Sequence, residues 1–399
     1  MTTDSVSVPS LCLFPVSVTS LLPFEVPTPA FSPFLTFHPS YSFSSFSFFF
    51  SSLPFLSHPT LLTTMLSAVR RAASANPVAM MRPLASMTMT SAFSTTSSAY
   101  APHNVKNITV FGSGLMGAGI VQVAAQNAFN VTMVDLNPEA LKKGQDIITS
   151  SLKRVAKKQF PEDAAQQKAF IDKTMAQIKT STDSEAASKD ADLIIEAIVE
   201  NLKTKQQLFS MLDKVAPEHT LFCSNTSSLP IGEIAKATKR TDRFGGLHFF
   251  NPVPQMKLVE VIRTEETSQD SFDSLMDVCT RMKKTPVSCK DTPGFIVNRL
   301  LVPYMMESLR IVERGEATPQ DVDVAMKLGA GFPMGPFELA DFVGLDTMKF
   351  IVDGWRKEGK IDDNLVAPVK LLDELVAQGN FGRKSGQGFY PYNGVGGKK

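Results

Sequence analysis

A run of β-branched residues that leads directly into three spaced glycines constrains this chain most. The run is Ile108-Thr-Val-Phe-Gly112-Ser-Gly114-Leu-Met-Gly117, and an apolar helical pattern follows it. Gly112 permits a tight turn out of a strand, Gly114 lets the backbone approach a pyrophosphate, and Gly117 lets the helix pack closely on the sheet. The pattern predicts the phosphate-binding turn of a dinucleotide-binding fold.

An acid at the end of the next strand supports this interpretation. The apolar run from Asn130 ends in Asp135, eighteen residues after Gly117. A carboxylate there can accept hydrogen bonds from an adenosine ribose and would repel the 2′-phosphate of NADP. No arginine follows within a dozen residues to bind that phosphate. We therefore expect NAD as the cofactor, although an ordinary strand–turn–helix with incidental glycines is the alternative.

The first hundred residues differ in composition from the rest of the chain. They hold only two acids, Asp4 and Glu25, and are crowded with Ser, Phe, Pro and Thr without a helical or strand period. We expect no packed domain there. A membrane anchor at residues 43–56 is the alternative, but its serines, its prolines and a length below roughly 20 residues disfavour a membrane span.

A targeting segment is predicted to start at Met65. From there to Tyr100 the chain carries arginines and many serines but no acid, which is typical of a mitochondrial transit peptide. Residues 65–103 are therefore predicted to be a transit peptide for import into the matrix. Met65 is then the true initiator, and residues 1–64 are a non-native or disordered leader.

Charge and cysteine content exclude several classes of function. The net charge of +1 gives no overall field that would attract nucleic acid. The four cysteines show no CxxC spacing and no dense framework, so we expect neither a zinc site nor a disulfide scaffold. No metal is predicted.

The remaining chain is predicted to form two domains. Residues 104–293 alternate strands and helices, as in a Rossmann-type α/β domain. Asp291-Thr-Pro-Gly294 breaks that pattern, and residues 294–399 are predicted to be all-helical. The first domain carries an inserted helical hairpin, whose long basic helix begins at Asn137 and whose second helix spans residues 164–178. The lysines of the hairpin are either a solvated face or a surface for substrate phosphates.

His248 is the candidate base for an alcohol oxidation. Hydride transfer from an alcohol requires a base for the hydroxyl proton, and histidine suits neutral pH. After Lys106 the chain has only His219 and His248, and His219 lies in a polar connection. His248 and Glu260 fall on neighbouring predicted strands, where the acid could orient the ring. A buried structural histidine with a carboxylate partner is the alternative.

Polar side chains are also expected around the reacting oxygen. Ser227 follows a buried strand and Asn298 follows the domain boundary, so each could donate to a substrate oxygen. Considered alone, each is more often a helix cap or a partner of the local backbone. Glu200 follows another buried strand, at the sheet edge where ligands bind in open parallel sheets.

These residues together resemble the mitochondrial short-chain L-3-hydroxyacyl-CoA dehydrogenase family over residues 104–391. The matching runs are Gly112-Ser-Gly-Leu-Met-Gly117, Glu196-Ala-Ile-Val-Glu-Asn201, Ser224-Asn-Thr-Ser-Ser228, Gly246-Leu-His-Phe-Phe-Asn-Pro-Val-Pro254, Lys290-Asp-Thr-Pro-Gly-Phe-Ile-Val-Asn-Arg-Leu300 and Met334-Gly-Pro-Phe-Glu-Leu-Ala340. The resemblance implies NAD-dependent oxidation of an (S)-3-hydroxyacyl-CoA to the 3-oxoacyl-CoA in fatty-acid β-oxidation. It also implies a homodimer joined through the helical domains.

The resemblance further implies roles for individual residues. His248 is the base with Glu260 behind it, and Ser227 and Asn298 surround the reacting oxygen. Coenzyme A is implied to contact Ser151, Lys158 and Ser227. The implied cofactor contacts are Gly112, Ser113, Gly114, Leu115, Met116, Gly117, Asp135, Glu200, Lys205, Ser227, Asn251 and Lys384.

Two other functions remain open from the sequence. One is a same-fold enzyme with another substrate, such as an NADP-linked 3-hydroxybutyryl-CoA or a sugar-acid dehydrogenase, which Asp135 and the basic hairpin disfavour. The other is a non-catalytic dinucleotide-binding protein, which the complete set of His248, Glu260, Ser227 and Asn298 disfavours.

Overall fold

A computed structural model describes residues 103–392 of the protein. The leader predicted for residues 1–64 and the transit segment up to residue 102 lie outside the described residues, as does the tail at 393–399. Among the described helices, none combines the length and the apolar composition needed to cross a bilayer.

The N-terminal part is built on one eight-stranded sheet in the order β3-β2-β1-β4-β5-β6-β7-β8. Neighbouring strands are parallel except β6 and β7, which are antiparallel. The strands are β1 Asn107–Phe111, β2 Asn130–Val134, β3 Ile178–Ser181, β4 Leu193–Glu196, β5 Leu221–Ser224, β6 Phe244–Phe249, β7 Leu258–Arg263 and β8 Thr285–Lys290. The predicted Rossmann-type fold class is confirmed.

Helices connect these strands and cover the sheet. They are α1 Leu115–Gln126, α2 Pro138–Gln159, α3 Ala164–Met175, α4 Ser184–Ser188, α5 Leu202–Leu212, α6 Ile231–Ala235 and α7 Gln269–Arg281. The central strands β4 and β5 are fully buried, as expected of near-continuous apolar runs in a parallel sheet. This arrangement brings the carboxyl ends of β1, β4 and β5 to one sheet edge.

The inserted hairpin forms between β2 and β3. Helix α2 begins as expected, with Pro138 in its first turn and the Asn137 side chain accepting a hydrogen bond from the backbone N–H of Ala140. Helix α3 packs against α2, and the rings of Phe160 and Phe170 meet edge to face with centroids 6.1 Å apart.

The prediction that the second hairpin helix continues to Ile178 is wrong. Helix α3 ends at Met175, and Ile178 instead begins the edge strand β3, where it pairs with Val131 of β2. The strand is only four residues long and partly buried, and its sequence shows no alternation of apolar and polar residues. Hydrogen bonding to β2 therefore decides its conformation, and local sequence does not reveal that pairing.

The C-terminal part is helical, with its own apolar core around residues such as Leu309, Phe337 and Trp355. Its helices are α8 Val297–Glu313, α9 Pro319–Gly329, α10 Pro336–Val343, α11 Leu345–Glu358, α12 Asp363–Val366 and α13 Lys370–Ala377. The Asp341 carboxylate accepts hydrogen bonds from the backbone N–H groups of Phe389 and Tyr390. It thereby holds the final glycine-rich loop against α10.

Candidate active site

The glycine turn between β1 and α1 is as tight as its sequence predicts. Gly112 has φ +102°, and a Cβ there would lie 2.5 Å from the carbonyl oxygen of Ala197. A Cβ on Gly117 would lie 1.8 Å from the carbonyl oxygen of Gly112. These two positions therefore exclude every side chain while the turn keeps this conformation.

Gly114 has a different environment, because a Cβ there would have no heavy atom within 4 Å. It precedes α1 as the N-cap residue and provides no side-chain cap for the helix. The N-terminus of a 12-residue helix is thus free to bind an anion with its backbone N–H groups. The turn fits the pyrophosphate of a dinucleotide.

A cavity of about 260 Å³ opens beside this turn. It brings together six predicted cofactor contacts with parts of the β4–α5 and β5–α6 loops. The lining residues are Gly114, Leu115, Met116, Ala197, Ile198, Val199, Glu200, Lys205, Asn225 and Asn251. The cavity therefore lies at the carboxyl ends of parallel strands, where ligands bind in such sheets.

Asp135 lies next to the glycine turn, as predicted. Its Oδ2 accepts hydrogen bonds from the backbone N–H and the hydroxyl of Ser113, at 2.7 and 2.6 Å. The carboxylate thus connects the end of β2 to the turn. An acid at this place suits a ribose diol and repels a 2′-phosphate, which fits NAD.

A buried group of two carboxylates and one ammonium lies at the edge of the cavity. Lys205 Nζ is 2.6 Å from Glu196 Oε1 and 3.2 Å from Glu200 Oε2. Burial alone lowers the pKa of Lys205, but the two carboxylates outweigh burial and raise it. Lys205 is therefore a fixed ammonium ion. Glu200 and Lys205 are among the predicted cofactor contacts, whereas Glu196, which ends the apolar strand β4, has no predicted role.

Glu200 holds the turn that carries Ser227. Its Oε1 accepts hydrogen bonds from the Thr226 hydroxyl at 2.5 Å, the Ser228 hydroxyl at 2.9 Å and the backbone N–H of Ser227 at 3.3 Å. Burial raises the pKa of Glu200, but Lys205 and the hydroxyls of Thr226 and Ser228 outweigh burial and lower it. Glu200 is thus an ionised group that organises the polar turn after β5.

His248 and Glu260 face each other across β6 and β7, where they are direct partners in the antiparallel register. Nδ1 of His248 is 2.7 Å from Glu260 Oε2, and Nε2 is 3.1 Å from the Ser227 hydroxyl oxygen. Both side chains are almost fully buried. The predicted base, its acid and Ser227 are therefore connected by hydrogen bonds. His219, in contrast, has a side chain that is 58% exposed.

Glu260 also connects the two parts of the fold. Its Oε1 accepts hydrogen bonds from the backbone N–H groups of Ile296 and Val297, at 3.0 and 2.8 Å, where α8 begins. Asn298 lies in the first turn of α8 and is 2% exposed. Within residues 103–392, its Oδ1 is buried without a hydrogen-bond partner. Such an acceptor is costly unless a donor group of a bound ligand satisfies it.

Ser151, Lys158 and Lys384 are not among the residues that line the cavity. Lys384 is in the C-terminal loop, where its Nζ lies 2.5 Å from Asp346 Oδ1. Ser151 and Lys158 are on α2, the first half-buried and the second exposed. Glu200 links the cofactor cavity to the turn that carries Ser227, beside His248.

Comparison with known proteins gives one consistent result. Residues 107–292 match the family profile described as 3-hydroxyacyl-CoA dehydrogenase, NAD binding domain, and residues 294–392 match the C-terminal domain of the same family. The chain is 57% identical over 306 residues to the human protein named hydroxyacyl-coenzyme A dehydrogenase, mitochondrial. That alignment covers 77% of this chain and 97% of the human protein.

Two bacterial proteins are also similar. The probable 3-hydroxybutyryl-CoA dehydrogenase of Bacillus subtilis (strain 168) is 45% identical, with 72% of this chain and 98% of that protein covered. The crystal structure of (S)-3-hydroxybutyryl-CoA dehydrogenase PaaH1 from Ralstonia eutropha superposes with a TM-score of 0.68 at 38% identity. It covers 72% of this chain and 99% of the solved chain.

Proposed function

Because this chain belongs to the 3-hydroxyacyl-CoA dehydrogenase family, we propose that it oxidises (S)-3-hydroxyacyl-CoA to 3-oxoacyl-CoA with His248 as the general base. The predicted family, fold class and NAD cofactor are confirmed by these matches, and the protein is an NAD-dependent oxidoreductase. One observation carries the residue-level proposal: the buried His248–Glu260 pair lies beside Ser227 and near a helix turn with an unsatisfied Asn298 oxygen.

Proton transfer in this proposal depends on the tautomer of His248. Bound NAD⁺ supplies the acceptor for the hydride from the β-carbon. Glu260 accepts the hydrogen bond from Nδ1–H, so Nε2 carries a lone pair. The Ser227 hydroxyl faces that lone pair in this structure, and the substrate hydroxyl would take its place there and pass its proton to Nε2. The carboxylate of Glu260 then stabilises the imidazolium ion, and the substrate oxygen becomes a carbonyl.

The neighbouring polar groups orient the substrate in this scheme. Ser227 lies on the Nε2 side of His248 and can hydrogen-bond the same substrate oxygen. Asn298 would donate a hydrogen bond from its Nδ2 group to that oxygen or to the thioester carbonyl. We assign cofactor binding to the glycine turn, Asp135 and the cavity side chains, and a remote cofactor contact to Lys384.

The remaining assignments follow from the family. Coenzyme A would lie along α2, with Ser151 and Lys158 as contacts together with Ser227. A domain boundary between residues 293 and 294 and a transit peptide at residues 65–103 complete the proposal. The human relative is named mitochondrial, and we propose the matrix as the site of action.

We also propose a homodimer that is joined through the helical C-terminal part. Several large apolar side chains there are exposed in the single chain, which favours an intersubunit surface. They are Leu300, Val324, Leu328, Phe332 and Phe350.

Replacement of His248 by Gln tests the role of the base. We expect kcat for acetoacetyl-CoA reduction by NADH to fall by roughly a hundredfold or more, while the Kd for NADH changes little. Turnover close to the wild type would refute the assignment. Wild-type protein that binds NADH without turnover would instead favour the non-catalytic alternative, and equal rates with NADPH would contradict the cofactor preference.

A further inference from the structure

Glu196 does not line the cofactor cavity, but it contacts Lys205, which does. It is fully buried at the end of β4, and its nearest charged partner is Lys205. On the basis of the proposed function, we propose that Glu196 is a positioning residue, which acts through Lys205 and Glu200 to hold Ser227 against His248. It does not touch the reacting atoms.

The contacts of Glu196 show which form of the side chain the fold requires. Its Oε1 accepts from Lys205 Nζ at 2.6 Å and from the backbone N–H of Ile198 at 2.7 Å. Its Oε2 lies 2.6 Å from the Ser224 hydroxyl oxygen, which itself accepts from the N–H of Thr226. The serine hydrogen is therefore free to point at Glu196. All three neighbours donate, so the site holds a carboxylate although burial raises the pKa of Glu196.

A continuous network of polar contacts connects the Glu196 carboxylate to the base His248. Glu196 holds Lys205, and the same ammonium holds Glu200 at 3.2 Å. Glu200 in turn accepts from the Thr226 hydroxyl, the Ser228 hydroxyl and the Ser227 backbone N–H. Ser227 then meets Nε2 of His248 at 3.1 Å.

The charges of Glu196, Glu200 and Lys205 explain why this network of hydrogen bonds needs Glu196. The Lys205 ammonium group lies between the carboxylates of Glu196 and Glu200 and donates to both. Glu200 therefore receives only part of this charge, and its oxygens can still accept hydrogen bonds from the turn at residues 226–228. Without the Glu196 charge, Lys205 can move fully onto Glu200 and compete with the hydroxyl and N–H donors of the turn. Glu200 would then release Ser227 from its place beside the base.

Replacement of Glu196 by Gln tests this proposal, because it keeps the size and removes the charge. We expect kcat for acetoacetyl-CoA reduction to fall about tenfold, and the Kd for NADH, measured by fluorescence, to change less than threefold. In a Ser227→Ala background the same change should lower kcat less than twofold, since the group it acts through is already absent.

Asp213→Asn is the matched control. Asp213 directly follows α5, the helix that carries Lys205, and forms a largely buried ion pair with Arg240 at 2.7 Å. Asp213 is not part of the network of contacts that connects Glu196 to Ser227. We expect this variant to lower the melting temperature without a change in kcat.

Additive losses in Glu196→Gln and Ser227→Ala would overturn the proposal, as would a loss in Glu196→Gln that the control reproduces. Failure of the proposed function would look different, because wild-type protein would then show no turnover. If Glu196→Gln does not fold, Thr226→Val cuts the network between Glu200 and the turn. The same comparison in the Ser227→Ala background then decides the proposal.

Discussion

Replacement of Glu260 by Gln is the sharpest test of how the fold prepares its base. Glu260 has two different tasks, one for each carboxylate oxygen. Oε2 faces Nδ1 of His248, and Oε1 accepts from the N–H groups of Ile296 and Val297. Glutamine has nearly the same shape but only one acceptor oxygen. It can therefore perform only one of the two tasks.

The two orientations of the amide predict different losses. If the amide oxygen serves the start of α8, the NH₂ group faces Nδ1 and forces the proton onto Nε2. His248 then cannot act as the base, and we expect kcat to fall by about a hundredfold to ten-thousandfold. If the oxygen faces His248, two buried N–H groups lose their acceptor, at about 1–3 kcal/mol each.

The assay measures both quantities in one variant. Acetoacetyl-CoA reduction followed through NADH absorbance gives kcat, and urea unfolding gives the free energy of unfolding. We expect at least one large effect, in kcat or of about 2–6 kcal/mol in stability. A variant within threefold of the wild-type kcat and within about 0.5 kcal/mol of its stability would refute the reasoning, since such a small change is typical of surface substitutions. Glu260→Asp keeps the charge and both oxygens on a shorter stem, and it separates loss of charge from loss of reach.

Two further predictions concern the glycine turn and a buried lysine. Gly117→Ala should lower the melting temperature, because its Cβ would lie 1.8 Å from the Gly112 carbonyl oxygen. Gly114→Ala has open space around its Cβ, so it should leave the melting temperature unchanged and raise the Kd for NADH. The reverse pattern would contradict the assigned roles. Burial lowers the pKa of Lys284 to about 8 from 10.5, so the folded chain holds fewer protons than the unfolded chain between those values. The free energy of unfolding should therefore rise from pH 8 to 10.5 relative to Lys284→Met, by at most about 3 kcal/mol, and parallel urea titrations with no pH-dependent difference would contradict this.

Much of the fold follows from the sequence because its signals are local. The glycine turn, the acid after β2 and the apolar strands each depend on residues close together in the chain. The pairing of His248 with Glu260 also follows, because neighbouring antiparallel strands place residues opposite one another. The one-to-one partnership between these two residues in β6 and β7 agrees with that expectation.

Other features have no local signal. The edge strand β3 forms where a helix was predicted to continue, because its conformation depends on hydrogen bonds to β2. Glu196 looks like the polar end of an apolar strand, and only the folded chain places Lys205 and Ser224 around it. Lys384 lies on the C-terminal loop with Asp346, an environment set by helix packing.

The sequence alone determines that this protein binds a dinucleotide, because the steric requirements of a phosphate-binding turn fall on residues close together in the chain. Only the tertiary structure decides how the base is held. Glu260 reaches from His248 to the first N–H groups of α8, across 37 residues of chain to Val297. Hydrogen bonds over such separations depend on domain packing, which a local pattern cannot encode.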